Sequence, residues 1–284
     1  MASVILALGT GFAHGESVGR IKVMTFNVLC SFCNPREYDP WIDRLGYFAD
    51  IFKRHDPDLL GIQELSKPEE VEQIAKLLPN HGAFYYQKGK LAYPDAAIFY
   101  RKDRFEVVES GVYWLSPTPD VPMTTGFAGK KMQLARLVVW TVLREIPSGR
   151  KLLFVCTHFD PNSPSQELSA PLLLQRTARH GKDLPVIVVG DFNSRPDSKA
   201  YAILTKGLDD RIRLADAYEV ATTKRTVTNQ TSPSPYNPTG RIDHIFVGGP
   251  GHWTVHDWAV DLSVYGPKQR HPSDHRPIAA EVGH

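Results

Sequence analysis

Cysteine is scarce: Cys30, Cys33 and Cys156 are the only three in 284 residues, too few for a disulfide scaffold. No run of about 18 apolar residues occurs, so nothing reads as a membrane span. Charge of neither sign is in excess, because 33 Lys and Arg stand against 31 Asp and Glu for a net +2, with a pI of about 8.3. A balance this close to neutral neither requires nor forbids a nucleic-acid partner; the placement of the charges decides. Internal repeats and an interdomain linker are missing as well. Hydrophobic residues make up 42% and charged residues 23%, at a mean hydropathy of −0.28. That composition supports a sizeable core and excludes wholesale disorder, collagen and coiled coil.

The Cys30-Ser31-Phe32-Cys33 stretch has the spacing of a redox or metal pair. No second Cys pair and no nearby His completes a zinc site, and a hydrophobic strand precedes it instead of the helix start of a thioredoxin-like motif. The pair therefore reads as two incidental thiols, or as a local disulfide if the protein is exported. Export is raised by Ser3 to Ala13, which resembles the apolar part of a signal peptide, although nothing before residue 20 carries a positive charge. A leader shortened by a misplaced start codon and a frayed N-terminal strand are both compatible with it. Residues 1–19 are accordingly set apart as a signal-like or disordered segment, and 20–284 as one domain. Localisation stays open between export and the cytoplasm. Asn229-Gln230-Thr231 has the form of a glycosylation sequon, but such triplets arise by chance.

From Ile21 onward apolar runs alternate with amphipathic stretches. Strands are expected at Ile21–Leu29, Asp58–Ile62, Phe84–Gln87, Ala96–Arg101, Glu106–Trp114, Leu134–Arg144, Lys151–Thr157, Pro185–Gly190, Ile242–Val247 and Pro277–Val282. Helices are expected at Trp41–Arg54, with Ile42, Leu45, Phe48, Ala49 and Phe52 on one face, at Pro68–Leu78, at Ser169–Lys182 and around Ser198–Thr205. Pro68 suits a first helical turn, and Glu69 and Glu70 behind it suit the helix dipole. Thr226–Gly240, polar and rich in Thr, Ser, Asn and Pro, reads as a long surface loop. More strands than helices, with helices between runs of strands, point to two packed sheets with helices outside.

The informative polar residues end or interrupt these apolar runs: Asn27, Gln63 and Glu64, His158 and Asp160, Asp191 and Asn193, Asp243 and His244, and Asp274 with His275. Singly, each has an ordinary explanation as a turn residue or a satisfied core group. Together they place carboxylates and carboxamides beside a core, which costs free energy unless they are paired or hold a cation. Oxygen donors of this kind suit a hard divalent ion, Mg²⁺ or Mn²⁺, and Cys and His are too dispersed for dedicated zinc.

Phe26-Asn27-Val28, Gln63-Glu64, Thr157-His158-Phe159-Asp160, Gly190-Asp191-Phe192-Asn193-Ser194, Arg241-Ile242-Asp243-His244-Ile245 and Ser273-Asp274-His275-Arg276-Pro277-Ile278 follow in that order. The ordered set resembles the endonuclease/exonuclease/phosphatase superfamily, the deoxyribonuclease I-like metal-dependent phosphoesterases, from about residue 21 to 282. The resemblance implies a four-layer α/β/β/α sandwich of two packed mixed sheets flanked by helices, with the site at one end of the sheets. It implies Glu64 as the main metal ligand, helped by Asn27 and Asp274, and Gln63 supporting Glu64 or serving only its loop. Asp191 would orient and deprotonate the attacking water, and Asn193 would position it or a phosphate oxygen. His275, polarised by Asp243, would bond the phosphoryl group, and His158 a second oxygen. In-line attack on a phosphate ester needs such a positioned nucleophile and charge neutralisation.

The stretches around Thr157–Asp160, Gly190–Ser194, Ala97–Phe105 and Arg136–Trp140 look most like a group of bacterial metal-dependent hydrolases. Two departures fall where substrate walls would lie. Tyr93-Pro94-Asp95-Ala96 replaces an acidic residue and Asn, and Phe127-Ala128-Gly129 stands near a missing Trp-Asp pair. Arg136 and Arg276 are expected to bind substrate. Lys268, Arg270 and His271 could add to the mouth, as could Lys130 and Lys131, whereas Arg176, Arg179 and Lys182 read as a solvated helix face. Trp253, Trp258 and Tyr265 could stack bases or meet lipid, with core packing the favoured fate of the tryptophans. The expected activity is a Mg²⁺- or Mn²⁺-dependent phosphoesterase, a phosphodiesterase or nuclease first, acting as a monomer on a phosphate ester or nucleic acid. A phospholipid, sugar-phosphate or inositol-phosphate esterase is the alternative, and an idle binding module the non-enzyme one.

Overall fold

The computed structural model describes residues 19–33, 36–127, 134–207, 212–226, 228–232 and 240–284. The Ser3–Ala13 segment, Lys130, Lys131 and much of the Thr226–Gly240 stretch lie outside the described residues.

The central strands are apolar on both faces, as strands covered on both sides are. In β1 (Arg20–Asn27), Ile21 and Val23 point between the sheets while Met24 and Phe26 point to the helices. In β8 (Val186–Asp191), Ile187 and Val189 lie between the sheets and Val186 and Val188 face outward. The other strands are β2 (Leu59–Gln63), β3 (His81–Lys88), β4 (Leu91–Arg101), β5 (Phe105–Trp114), β6 (Leu137–Glu145), β7 (Lys151–His158), β9 (Leu214–Asp216), β10 (Thr223–Lys224), β11 (Asp243–Gly248), β12 (Thr254–Val260) and β13 (Ile278–Gly283). One sheet has the order β10-β12-β13-β1-β2-β4-β3 and the other β5-β6-β7-β8-β11-β9. Both are mixed, with β1 parallel to β2 and β7 parallel to β8.

Helices α1 (Trp41–His55) and α2 (Pro68–Leu77) cover the first sheet through Phe48, Ile51, Phe52, Val71 and Ile74. Helices α3 (Ser165–His180) and α4 (Lys199–Lys206) cover the second through Leu173, Leu174, Ala200 and Leu204. The four-layer α/β/β/α sandwich expected from the sequence is the fold of the protein, with a short helix α5 (Ala217–Val220) beside it.

Local readings shift in three places. In α1 the buried stripe runs Trp41, Arg44, Phe48, Ile51, Phe52, so Ile42 is 66% exposed and Arg44 only 1%. Helix α3 starts a turn earlier than expected and runs through Pro171; burial of Ala170, Leu173, Leu174 and Thr177 outweighs the hydrogen bond that proline cannot donate. Strand β12 escaped the period-two reading because a bulge between Val255 and Asp257 breaks its alternation.

The sheets lie close together. A Cβ on Gly61 would come within 2.5 Å of Val189 Cγ2 and 2.9 Å of Cys156 Sγ. The strand registers then align one rim: Asn27 pairs with Gln63, His158 with Asp191, and Asp191 with Asp243. Glu64, just past β2, donates its N–H to Asp95 O at 3.0 Å.

Candidate active site

Asp191 ends β8 at the centre of this rim and is 1% exposed. Its neighbour Gly190 admits no side chain, because a Cβ there would lie 2.1 Å from Thr157 O. Asp191 Oδ1 accepts the Asn193 N–H at 2.8 Å. Oδ2 accepts from Asn27 Nδ2 at 3.1 Å and faces His158 Nε2 at 3.4 Å and His275 Nε2 at 3.6 Å. Burial alone would raise this carboxyl's pKa, but His275, His158 and the Asn193 N–H hold it well below the usual range.

His275 Nδ1 lies 3.1 and 2.9 Å from the two oxygens of Asp243. That pairing fixes the ring so that Nε2 faces Asp191. Burial disfavours the imidazolium, yet Asp243 and then Asp191 raise the ring's pKa well above the ordinary value. Asp243 itself is raised by burial and by Asp191, against the pull of His275. Buried Thr231 supports it by accepting the Ile242 and Asp243 N–H groups at 3.0 and 3.1 Å.

His158 sits in a second buried cluster. Arg136 Nη1 bonds both oxygens of Asp95 at 2.9 Å and approaches His158 Nδ1 at 2.6 Å, while Asp95 Oδ1 lies 3.3 Å from Nδ1. The Arg136 contact favours a neutral ring accepting at Nδ1, and the carboxylates favour the cation. Burial and Arg136 lower the ring's pKa, but Asp95 and Asp191 outweigh them and raise it to about 9. Arg136 and then His158, against burial, lower Asp95 to about 2. Arg136, expected to bind substrate, is thus 8% exposed and stands behind His158. Asp95, which the sequence reading treated only as a departure in a substrate wall, is the carboxylate that serves both.

Asn27, fully buried, bridges the two halves of the rim: Nδ2 donates to Glu64 Oε1 at 2.9 Å as well as to Asp191. Its Oδ1 accepts the Leu29 N–H at 3.0 Å, and Glu64 Oε2 accepts the Cys30 N–H at 3.0 Å. Leu29, Glu64 and Asn193 all adopt left-handed backbone, at φ of 56°, 68° and 46°, a conformation that costs a non-glycine residue about 1–2 kcal/mol. Arg44 holds this strand end from below by donating to Val28 O, to Leu29 O at 2.9 Å and to Pro272 O at 3.3 Å. Burial pushes its pKa down to about 10. Asn193 Nδ2 donates to Phe159 O at 2.9 Å, which fixes that side chain.

Asp274 is raised by burial and by Glu64 and Asp191, against His275 and a hydrogen bond from Ser273. Glu64 and Asp274 thus stand close enough to repel each other beside the Asn27 carboxamide, and an oxygen-rich donor set of this kind fits a hard divalent cation. Asp191, Asp243 and His275 also offer ligand atoms within 4.8 Å of one another, but their mutual pairing already satisfies them.

Several expected residues take other roles. Gln63 bonds Thr25 Oγ1 at 3.1 Å and Cys156 Sγ at 3.2 Å between the sheets, so it does not support Glu64. Asp160 accepts from Asn162 and Leu134 in a local turn. His244 lies between Asp216 Oδ2 and Ser194 O, at 2.9 Å from each, and steadies the loop after β8. Arg276, half-buried beside His275, reaches Gln230 O at 3.2 Å. Arg270 pairs with Asp39 at 2.7 Å and Arg176 with Asp120 at 2.8 Å. Trp258 is core, Trp253 donates to Gly248 O at 2.7 Å, and Tyr265 stacks on Tyr47 at 4.4 Å. Cys30 and Cys33 form a disulfide.

Two packed mixed sheets with paired His and Asp side chains along one rim define an α/β/β/α hydrolase acting on phosphoric ester bonds. The model of the Endonuclease/Exonuclease/phosphatase family matches residues 24–275, and the chain belongs to that family. It is 29% identical to an endonuclease/exonuclease/phosphatase family protein from Bacteroides thetaiotaomicron, over 93% of this chain and 97% of that one, at a TM-score of 0.80. A mannosyl-6-phosphatase of the same organism matches at 29% identity and a TM-score of 0.80, covering 93% of this chain and 100% of that one. The 3'-5'-exoribonuclease subunit Ccr4 of the CCR4-Not complex of Saccharomyces cerevisiae is 23% identical over 224 residues. That match takes in 65% of this chain, which spans only 27% of the yeast protein. Among the described residues no helix is long and apolar enough to cross a membrane.

Proposed function

We propose that the protein is a divalent-cation-dependent phosphoesterase acting on a small phosphate ester, of which a sugar phosphate is the favoured class. The observation that carries this reading is the convergence of His275 and His158 on one carboxylate, Asp191, at 3.6 and 3.4 Å. Two imidazolium rings beside a buried anion suit a reaction in which negative charge builds on phosphoryl oxygens.

Glu64, with Asn27 and Asp274, would hold Mg²⁺ or Mn²⁺, and such an ion supplies charge neutralisation at the phosphoryl and leaving oxygens. Asp191 orients the attacking water in line with the ester bond and takes its proton. Asn193 positions that water or a phosphoryl oxygen. His275 donates from Nε2 to a phosphoryl oxygen while Asp243 holds its Nδ1–H, and His158 donates to a second oxygen. Asp95 and Arg136 are positioning residues for His158. Arg276, next to His275 in the chain, would meet the substrate.

The small-substrate reading rests on how surface cations are paired. Arg270, Arg176 and Arg195 each pair with a carboxylate among the described residues, whereas tracking a polynucleotide needs cations free for phosphates. The full-length match to a sugar phosphatase points the same way. The phosphodiesterase or nuclease reading is second, and the similarity to an exoribonuclease favours it.

The test is turnover of a mannose phosphate, a generic diester and a short oligoribonucleotide, with Mg²⁺ and with EDTA. Metal-dependent release of phosphate from the monoester, outrunning both diesters, is the expected result. Diester preference would move the protein to the second reading, and activity indifferent to EDTA would remove the cation.

A further inference from the structure

The turn after β1 carries a pair that phosphoryl transfer leaves unused. Cys30 and Cys33 close it as a disulfide, with the Cys33 N–H donating to Cys30 O at 3.1 Å. The sequence offers no partner ligands for these sulfurs, but the fold does. The two Sγ atoms and a Glu64 carboxylate oxygen all lie within 4.8 Å of one another. The turn is also fastened to the loop that bears Glu64. Cys30 N–H reaches Glu64 Oε2 at 3.0 Å, Ser31 Oγ donates to Glu70 Oε1, and Glu70 Oε2 accepts the Ser66 N–H at 2.7 Å.

Two sulfurs at Cys-x-x-Cys spacing with one carboxylate make a three-ligand set for a thiophilic ion, and leave a fourth tetrahedral position to solvent. The Cα atoms stand 5.1 Å apart. Cys33 is only half-buried, so a dithiol can reach it. Cys156 offers no alternative site: it is sealed between the sheets, and burial pushes its thiol up to about 12.

We propose that the reduced Cys30–Cys33 pair and Glu64 bind a thiophilic divalent cation of the zinc class, and that occupation of this site withdraws Glu64 from the catalytic cation. The second half rests on the reading of Glu64 as a ligand of that cation. In the reducing step a dithiol supplies two electrons and two protons. Its two S–H groups become a disulfide, the Cys30–Cys33 S–S bond breaks, and each sulfur takes one proton. The incoming cation then displaces those two protons. The disulfide is the state in which Glu64 is free for catalysis.

Co²⁺ is the probe, titrated into the full chain after dithiol reduction and removal of reductant. A thiolate-to-cobalt charge-transfer band that saturates at one ion per chain, and that Zn²⁺ abolishes, is expected. It is absent from the oxidised protein, from the reduced protein after thiol alkylation, and from Cys30→Ser/Cys33→Ser. Alkylation keeps the test decisive if the serine variant does not fold. No band in the reduced protein, or one that survives alkylation, overturns the site. Stoichiometric Zn²⁺ should also lower the Mg²⁺-supported activity of the reduced protein at least about tenfold, and that of the oxidised protein much less. A cobalt band without this loss keeps the site and overturns the role given to Glu64.

Discussion

His158 illustrates at the residue scale how neighbours set a charge. Burial and Arg136 work against the imidazolium, Asp95 and Asp191 for it, and the carboxylates win to place its pKa at about 9. A raised histidine contributes stability that is fully present below its unfolded pKa, near 6.5, and that is lost as pH rises through about 9. Catalysis that uses the cation follows the same sign, so kcat/KM should fall on the alkaline side through about 9. Asp95→Asn removes one of the two raising groups and should move that limb toward neutrality, whereas a role for Asp95 in packing alone would lower stability and leave the limb in place. His275→Ala and Asp191→Ala should each cost at least about a hundredfold in kcat/KM, roughly 2.7 kcal/mol, while each variant still unfolds cooperatively. Loss of the fold in place of the rate would undo those assignments. The sequence made Asp191, Asp243, His158 and His275 visible because each interrupts or ends an apolar run. Asp95 was read only as part of a substrate wall, since nothing along the chain sets it against Arg136 and His158. Gln63 misled in the opposite sense, for strand alternation turns it between the sheets.

At the scale of elements, the site depends on how α1 grips the end of β1. Arg44 takes a core position on the helix and satisfies carbonyls of residues 28, 29 and 272, groups that would otherwise be buried without partners. Arg44→Met should therefore cost about 3 kcal/mol or more in urea unfolding, and should raise the cation concentration needed for activity because the β1 end that holds Asn27 and the Cys30 N–H against Glu64 loses its anchor. A stability loss with unchanged cation dependence would confine Arg44 to folding. Gly61→Val tests the gap between the sheets, where a side chain meets Val189 and Cys156. It should cost about 1–3 kcal/mol and displace the β2 end that carries Glu64, readable as a fall in both melting temperature and kcat. Strand positions were legible in the sequence from continuous apolar runs, and α1 and α2 from helical spacing. The bulged β12 and the start of α3 were not, because a bulge breaks the period and a proline conceals a turn that tertiary burial sustains.

For the whole molecule the near-balance of charge has a consequence that salt can measure. With Arg270, Arg176 and Arg195 each paired to a carboxylate, kcat/KM on a small phosphate ester should change by less than about threefold between roughly 50 and 200 mM salt, whereas an enzyme engaging six or more phosphates would lose about a thousandfold. A steep slope would favour the nuclease reading. The sequence by itself determined two packed sheets with helices outside and the order of the polar motifs on which the family resemblance rests, because alternation, turn residues and strand-end acids are local properties of the chain. Only the tertiary structure decided which side chains meet. Asn27 and Glu64 lie 37 positions apart and Asn27 and Asp191 164, yet each pair is hydrogen-bonded. Parallel and antiparallel registers, set by packing across both faces of two sheets, bring those distant strand ends to a single rim. The same packing laid Glu64 against a cysteine pair that, in sequence, had no third ligand.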